Sequence, residues 1–548
     1  MRKRSILLLT GALALIASLV VGPAATAGPE RASAGTIVLI HDQEPPNLQL
    51  NVTGNNLYAT ALVLNNIWYS GQIRNDKGAL VPALFAGKPR ITKQSPLTVQ
   101  FQYKPTAAWS DGRQVTCNDF LVTWRTFTNP QFNIDDRTGW EDIRSVRCAG
   151  KRGTVVFKKS YADWEALVSS QVLPAHLVAG KNYNELFLNS LPVSSGPWRF
   201  SSWQKGVQLT LVKNPRYRSG PAMKLDRVVF RYILDTNARF QALRANEGQA
   251  MESQAQPQIA SFMTDRNFTV DSKIGYAHEH IDVQFGPKGH PALKQRYVRQ
   301  ALITGMNRAQ VAKALYTDTG IYKGILPPLQ SHMFKPFESA YKQNWAVYKF
   351  NQQRVIQILK GKGCTGGPDR PSAGNSDIFS CPGVGKLSFR FFTTTGNQLR
   401  ALTFEIIQRQ LKSVGIELVP RFQTGGTLFG TTLPSRDWDL MMFTWVSSPS
   451  WGISSIAPVY GCGGDSNDMQ YCNRKFTQIA EKVQVTLDAA ERARLLNFAE
   501  QKYMVPDVPT IPMFARPGYT LASNKVKGVG YNPTTEGYPW NVATWTVQ

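Results

Sequence analysis

The sequence contains only one long hydrophobic run, at its N-terminus, and its glycine and proline residues follow no period. The lack of further hydrophobic runs excludes a membrane protein with several spans. The lack of a glycine or proline period excludes collagen-like and low-complexity chains. Acidic residues are also scarce, since 37 Asp and Glu stand against 62 Lys and Arg, a formal charge of +25. The basic residues form no run of five, and no nucleic-acid recognition motif accompanies them. The charge indicates attraction to an anionic cell envelope or a potential that favours an anionic ligand.

The N-terminal run has the pattern of a signal peptide. Basic residues at 2–4 precede an apolar stretch at 6–21, and an A-x-A cleavage site follows at 25–27. An uncleaved membrane anchor is the alternative interpretation. No cysteine precedes Cys117, so the acylated cysteine of a bacterial lipoprotein is absent from the sequence. We therefore predict a signal peptide at 1–27 and an exported protein, in a periplasm or at the cell surface.

The remaining 521 residues are long enough for several domain-sized units with buried cores. An even number of cysteines suits an oxidising compartment, and their spacing is too wide for a zinc site. Six cysteines allow fifteen pairings. The sequential one closes the shortest loops, and we expect it: Cys117 with Cys148, Cys364 with Cys381, and Cys462 with Cys472.

Hydrophobic periodicity alternates between strands and helices. Strands are predicted at 36–40, 95–104, 206–213 and 225–233, and the chain becomes rich in helices from about residue 290. Thr116 is the predicted N-cap of one helix. Two later helices carry the apolar sets Leu399, Leu402, Ile406, Leu411 and Val414, and Phe476, Ile479, Ala480, Val483 and Leu487. The pattern predicts an α/β protein of several lobes.

Three motifs could carry chemistry. The glycines of 361–366 match G-x-G-x-x-G, but they follow a helical pattern, so we expect a loop at a helix end and no dinucleotide site. His278 and His280 would lie on one face of a strand, where a polar strand edge is favoured over a metal site. Trp445 ends an aromatic cluster, either as a core residue or at the edge of a cleft. No nucleophile, acid–base pair or triad stands out, so we predict neither an enzyme nor a bound cofactor or metal.

Seven segments, in order between about residues 36 and 545, together resemble the family 5 extracellular solute-binding proteins, the dipeptide and oligopeptide receptors of ABC importers. They are WSDG at 109–112 with Thr116 and Asp119, SGPW at 195–198, NPRY at 214–217 with Leu225 and Asp226, VRQAL at 298–302, QLK at 410–412 with Gly415, DWDL at 437–440 and DVPTIP at 507–512.

The resemblance implies a two-lobed clamshell. Lobe 1 would comprise about residues 28–275 and 515–548, with an extra subdomain at about 55–190, and lobe 2 would comprise about residues 276–514. Two crossing strands would form the hinge, and closure around the ligand would signal its presence to a membrane permease.

The resemblance also implies ligand contacts. The family's peptide receptors bind the ligand's ammonium with an aspartate three residues after the tryptophan that corresponds to Trp445. That position is Ser448, with Ser447 beside it, so the carboxylate is missing. Glu44 or Asp42 would be substitutes. Asn55 and Tyr58, after the first strand, and Thr394 and Asn397, at a strand-to-helix junction, are further expected contacts.

The resulting hypothesis is a monomeric receptor that delivers peptides or peptide-like molecules to an ABC permease. Because Ser448 replaces the aspartate, a sugar, opine or metal chelate is an alternative cargo on the same fold. A secreted hydrolase or a wall-bound protein of another fold is the second hypothesis. It rests on size, aromatic content and the missing lipid anchor.

Overall fold

The computed structural model describes residues 35–55, 57–322, 324, 326–445 and 456–548. The predicted signal peptide at 1–27, together with Ser447 and Ser448, lies outside these residues. Within the described ranges, none of the helices combines the length and the apolar character that crossing a bilayer requires.

The strands of the described residues are β1 Thr36–His41, β2 Gln72–Arg74, β3 Leu80–Pro82, β4 Arg90–Gln94, β5 Leu97–Gln102, β6 Ile143–Ala149, β7 Arg152–Phe157, β8 Trp198–Gln204, β9 Gln208–Lys213, β10 Arg227–Tyr232, β11 Ala250–Gln254, β12 Phe268–Val283, β13 Ser380–Cys381, β14 Gly385–Lys386, β15 Ser388–Thr394, β16 Glu417–Gln423, β17 Leu440–Trp445, β18 Thr510–Ser523, β19 Val526–Lys527 and β20 Thr546–Val547.

The α-helices of the described residues are α1 Tyr58–Ile67, α2 Cys117–Phe127, α3 Trp164–Ser169, α4 Ala175–Val178, α5 Thr236–Arg244, α6 Ile259–Met263, α7 Arg296–Gly305, α8 Arg308–Ala312, α9 Gln352–Gly361, α10 Gln398–Lys412, α11 Gly425–Thr427, α12 Leu433–Ser435, α13 Ile456–Tyr460, α14 Arg474–Val485, α15 Ala489–Ala499 and α16 Val505–Asp507. Short 3-10 helices lie at Tyr183–Glu185, Pro291–Lys294, Asn344–Val347 and Tyr538–Thr544, and π-helical turns at Lys313–Thr317, Leu428–Thr432 and Glu500–Met504.

Ten strands form one sheet in the order β16-β15-β17-β12-β18-β11-β1-β10-β9-β8. β1 pairs in parallel with β10 and β11, and all six of its residues are buried, which is what its continuous β-branched run predicts. The α/β prediction is confirmed.

Two long strands, β12 and β18, run through the middle of this sheet. The first part of β12, from Phe268 to Ile274, pairs with the part of β18 that also pairs with β11. The last part of β12, from His278 to Asp282, pairs with β18 on one side and with β17 on the other. The register shifts between Ile274 and His278. These two strands therefore link the half of the sheet built around β1 to the half built around β15.

The buried hydrophobic residues fall into two cores. One is built from residues between Ile37 and Ala250 and is completed by residues between Ala522 and Trp545. The other is built mainly from residues between Phe240 and Leu521. The lobe boundaries at 275/276 and 514/515 stay predictions.

A separate four-stranded antiparallel sheet, in the order β4-β5-β7-β6, belongs to the first core. Leu97, Val99 and Phe101 of β5 point inward, as the alternation predicts. The helix that packs on them, α2, begins at the predicted N-cap: the side chain of Thr116 accepts a bond from Asn118 N, and Thr116 N donates to Asp119 Oδ2 over 2.8 Å.

All three disulfides form as the sequential pairing predicts: Cys117–Cys148, Cys364–Cys381 and Cys462–Cys472. The loop at 361–366 follows the end of α9, and Gly363 and Gly366 adopt the positive φ angles that such a loop requires. The prediction of a helix-end loop is therefore confirmed.

Three sequence expectations were wrong. Leu402 is 38% exposed, because α10 buries the face formed by Leu399, Thr403 and Ile407, to which Leu402 does not belong. Leu487 lies beyond Val485, where α14 ends. His278 and His280 do not lie at a polar edge, since β12 is a central strand and both imidazoles are fully buried.

Candidate ligand-binding cleft

Side chains from distant parts of the chain meet where strands of the ten-stranded sheet end. Asn397, the N-cap of α10, donates from Nδ2 to Oε1 of Gln254 at the end of β11, over 3.0 Å. Thr236, the first residue of α5, donates from Oγ1 to the carbonyl of Gly396 over 2.8 Å. The junction between β15 and α10 is therefore bonded to the end of β11 and to the start of α5.

An ion cluster lies beside this junction on the second core. Glu279 of β12 accepts from the hydroxyl of Thr444, and its Oε1 lies 3.5 Å from Nη2 of Arg400 and 3.7 Å from Nη1 of Arg516. The three charged side chains are buried, with exposed fractions of 1% for Glu279, 6% for Arg400 and 9% for Arg516. Burial raises the pKa of Glu279, but the two guanidinium groups outweigh it and hold that pKa below its usual value.

The cluster carries two positive charges against one negative charge. Asp42, directly after β1, contributes a second carboxylate. Burial raises the pKa of Asp42, but the charges of Arg239, His41, Arg516 and Arg400 lower it further than burial raises it. Asp42 is therefore ionised, and its side chain is 36% exposed. It can accept hydrogen bonds from a ligand at the edge of the cluster.

A third carboxylate, Glu252 of β11, faces the same region. Tyr58 donates from its hydroxyl to Glu252 Oε2 over 2.7 Å. Burial raises the pKa of Glu252 to about 7, with Tyr58 and Arg516 acting in the opposite direction. Near neutral pH this carboxyl can therefore take up or release a proton, and a cationic ligand group would stabilise its ionised form.

Four buried polar atoms, three in the cluster and one on Tyr316, which interacts electrostatically with Arg516 and Glu279, have no hydrogen-bond partner among the described residues. They are Glu279 Oε2, Arg400 Nε, Arg516 Nε and the hydroxyl of Tyr316. Buried polar groups are normally satisfied by protein, water or ligand. The cluster therefore has hydrogen-bonding capacity beyond what its own side chains use.

Thr394, Asn397 and Tyr58 each contact a residue of this region. Thr394 Oγ1 accepts from Arg400 Nη1 over 2.6 Å, Asn397 donates to Gln254, and Tyr58 donates to Glu252. Trp445 ends β17, and its ring lies parallel to that of His280 at a centroid distance of 5.9 Å. The residues that follow Trp445, including Ser447 and Ser448, lie outside the described residues.

Glu44 and Asn55 have other partners. Glu44 Oε1 accepts from Trp203 Nε1 over 2.7 Å and from the backbone N–H of Gly206 over 2.9 Å, which ties it to the turn between β8 and β9. Asn55 is buried, donates to Asn47 Oδ1 and the Gln49 carbonyl, and accepts from Thr60. The structure does not bring either residue into the ion cluster.

Sequence reasoning missed Glu252, Glu279, Arg400 and Arg516. Glu279 lies between His278 and His280, which were considered as metal ligands. Arg400 is three residues after Asn397, in the first turn of α10. Arg516 lies four residues after the DVPTIP segment. Their proximity to these segments could have indicated that they belong to the site. Their contact with one another could not be predicted, because it depends on the order of the strands in the sheet.

Behind Trp445, the second core contains His278, His280 and His332 with ring centroids 4.7 to 5.7 Å apart. Burial, then the charge of neighbouring cationic groups, lowers the pKa of His278 and of His332 well below the usual value, so both rings are neutral. Within the described part of the chain, no group of three or more His, Cys, Asp or Glu side chains could hold a metal ion.

A family model described as bacterial extracellular solute-binding proteins, family 5 middle, matches residues 79–467. The match covers more than half of the sequence, and the chain therefore belongs to this family. Over 512 residues it is 24% identical to the oligopeptide-binding protein AppA of Bacillus subtilis, with 90% of this chain and 89% of the relative covered.

Solved structures of the same fold have different ligands in their names. AppA from Bacillus subtilis in complex with a nonapeptide has a TM-score of 0.82 at 19% identity, covering 95% of this chain and 100% of that chain. The periplasmic EDTA-binding protein EppA has a TM-score of 0.82 at 20% identity, with coverages of 95% and 98%. NikZ from Campylobacter jejuni in complex with Ni(L-His) has a TM-score of 0.81 at 19% identity, with coverages of 94% and 100%. The predicted two-lobed binding-protein fold is confirmed.

Proposed function

We propose that this protein is the extracytoplasmic receptor of an ABC importer, enclosing a small peptide or peptide-like solute and delivering it to a membrane permease. Residues 1–27 direct its export. Lobe 1 comprises residues 28–275 and 515–548, with an inserted subdomain at 55–190, and lobe 2 comprises residues 276–514. Family membership and the similarity to AppA support this function.

The two lobes close by bending at the strands that join them, β12 and β18. A ligand drives closure only by binding the closed state more tightly than the open state. Side chains of both lobes are therefore required, and the bond from Asn397 to Gln254 is one that closure makes. No chemical step on the ligand is involved, so the protein is a receptor and not an enzyme.

The observation that carries the proposal is the distribution of charge across the cleft. Asp42, Glu252 and Arg516 belong to lobe 1, whereas Arg400 belongs to lobe 2, and the two arginines meet at Glu279. A ligand with a free ammonium and a free carboxylate matches this arrangement, with the ammonium toward the two acidic groups and the carboxylate toward the arginines. Asp42 and Glu252 then supply the counter-charge that Ser448 does not, because a buried unpaired ammonium would cost several kcal/mol.

Isothermal titration of the secreted protein with di- and tripeptides tests the proposal. The matched controls are the same peptides with the N-terminus acetylated or the C-terminus amidated. We expect each block to weaken binding by at least about tenfold, since it removes a charge-assisted hydrogen bond of about 1.5–3 kcal/mol. The Asp42→Asn variant should lose the discrimination against acetylated peptides but keep that against amidated ones. Equal binding of free and blocked peptides would refute the charge assignment.

A chelated or purely anionic solute is the second candidate cargo, favoured by the net positive charge of the ion cluster. Addition of nickel–histidine, EDTA chelates and an opine to the titration separates the two candidates. Tight binding of one of these with no peptide binding would keep the receptor function and change the cargo. Turnover of a model ester, glycoside or peptide bond by the purified protein would instead support a hydrolase.

A further inference from the structure

The four-stranded sheet β4-β5-β7-β6 has one face packed on α2 and one face turned outward. Cross-strand pairing defines the outward face: Arg90 pairs with Gln100, Gln100 with Thr154, and Thr154 with Arg147. Paired residues point to the same side of a sheet, so these four side chains form one row. Arg152, beside Gln102, and Lys93, beside Thr98, lie on the same side.

This sheet contains no acidic residue. Its strands include Arg90, Lys93, Arg144, Arg147 and Arg152. The acid-free segments are longer than the strands, since no Asp or Glu occurs in 77–110 or in 143–162. The mean composition of the chain, with 37 acidic among 548 residues, would place several acidic residues in these two stretches. The face is thus unusually basic even within this basic protein.

Four basic side chains on this side of the sheet are exposed. They are Arg90, Lys93, Arg147 and Arg152, and we call this surface the basic face. No carboxylate of the described residues forms an ion pair with any of them, whereas Lys159, just beyond the sheet, pairs with Asp142 over 3.2 Å. Arg152 donates only to the neutral amide of Gln102, over 3.5 Å. No ion pair among the described residues therefore neutralises this positive charge, and it is available to a partner.

The shape of the basic face distinguishes between anionic partners. With strands about 4.8 Å apart, Arg90 and Arg147 on the outer strands lie about 14 Å from each other across a gently twisted surface. Its remaining side chains are Thr, Gln, Ser, Ala and Val, with none of the exposed large hydrophobic residues of the described chain. Single-stranded nucleic acids require stacking aromatics and a groove, which this face does not provide. A broad layer of phosphate headgroups fits it.

We propose that the basic face binds the surface of an anionic phospholipid bilayer and retains the protein beside the membrane. The cleft is not involved, so this inference goes beyond the proposed transport function and stands without it. Each basic residue near an anionic leaflet contributes roughly a fivefold increase in partition coefficient at moderate ionic strength. Reversal of three charges should therefore weaken binding by at least about a hundredfold.

Co-sedimentation with vesicles tests the proposal. Protein secreted by an expressing host is mixed with vesicles of phosphatidylcholine containing roughly 30–50% phosphatidylglycerol, at low and at high salt, since salt screens the attraction between exposed charges. The test variant is R90E/R147E/R152E. The matched control is R354E/K362E/K386E, which makes the same charge change at three exposed basic residues associated with the second core. We expect salt-sensitive binding by the wild type and the control, and its loss in the test variant.

Folding is checked by the melting temperature, and the neutral variant R90Q/R147Q/R152Q repeats the test if the reversed one is unstable. The proposal is overturned if the wild type does not sediment with anionic vesicles at low salt, or if the control variant loses as much binding as the test variant. Binding to soluble polyphosphate without binding to vesicles would also overturn it, since it would assign the face to a polymer.

Discussion

Replacement of Glu279 by Gln should be among the most damaging isosteric changes in this protein. The carboxylate is 1% exposed and lies 3.5 Å and 3.7 Å from the guanidinium groups of Arg400 and Arg516. Its removal leaves two buried cations without the nearest counter-charge. Loss of one partner from a buried ion pair costs about 3–5 kcal/mol, because the remaining charge stays desolvated.

The magnitude here should lie at the lower end, about 3 kcal/mol, since Asp42 still acts on both arginines. Urea unfolding followed by tryptophan fluorescence measures the change in the free energy of unfolding. The double variant Glu279→Gln/Arg400→Gln removes one of the uncompensated cations, so it should be more stable than Glu279→Gln alone. A loss below about 1 kcal/mol, with no recovery in the double variant, would refute the assignment of a buried ion cluster.

The same cluster gives a dependence on pH. The folded-state pKa of Glu279 is lowered, so its contribution to stability is present above the unfolded value of 4.5 and is lost as the pH falls through the folded pKa. Glu279→Gln should therefore remove part of the acid sensitivity of the wild type. An unchanged acid transition, measured by the same fluorescence signal, would contradict this.

Three further changes follow from other parts of the structure. Glu252 has a pKa raised from 4.5 to about 7, so it destabilises the folded protein increasingly as the pH rises between these values. Glu252→Gln should flatten that part of the pH–stability profile. An unchanged slope would show that the carboxyl group is ionised throughout this range. Removal of a disulfide should cost more stability the longer the loop that it closes, because it frees more conformations of the unfolded chain. Removal of Cys117–Cys148, which spans 31 residues, should cost about 4 kcal/mol, and removal of Cys462–Cys472, which spans 10, about 3 kcal/mol. The reverse order in urea unfolding would contradict this dependence on loop length. Thr116→Ala should cost about 1 kcal/mol through loss of the N-cap of α2, whereas Thr116→Ser should be close to neutral; equal melting temperatures for the two variants would exclude a capping role.

Local features of the fold could be predicted from the sequence because neighbouring residues determine them. β1 follows from a continuous β-branched run, the start of α2 from Thr116 and Asp119, and the end of α10 from Gly415, which has a φ of 79°. The disulfides followed from loop length. Leu402 was assigned to the buried face of α10 because it is three residues after Leu399. Residues three and four apart both lie on the broad apolar stripe of a helix, so the spacing alone does not show which of them is buried.

The cleft could be predicted only in part. Thr394, Asn397 and Tyr58 were expected as ligand contacts from their positions at element ends, and that role stays a prediction. Glu279, Arg400 and Arg516 come from three distant parts of the chain and meet only through the order β15-β17-β12-β18. The strand alternation at His278 and His280 shows which side chains share a face. It does not show whether the strand is central or at the edge, and so their burial was missed.

Native mass spectrometry tests directly whether this protein is a peptide receptor. The secreted protein is unfolded and refolded to release any endogenous ligand, then mixed with a library of two- to five-residue peptides. We expect one-to-one complexes whose abundance falls in Asp42→Asn and Arg516→Gln variants that retain their fold. Absence of any peptide complex at millimolar concentrations, in protein that has regained its native melting temperature, would contradict this expectation.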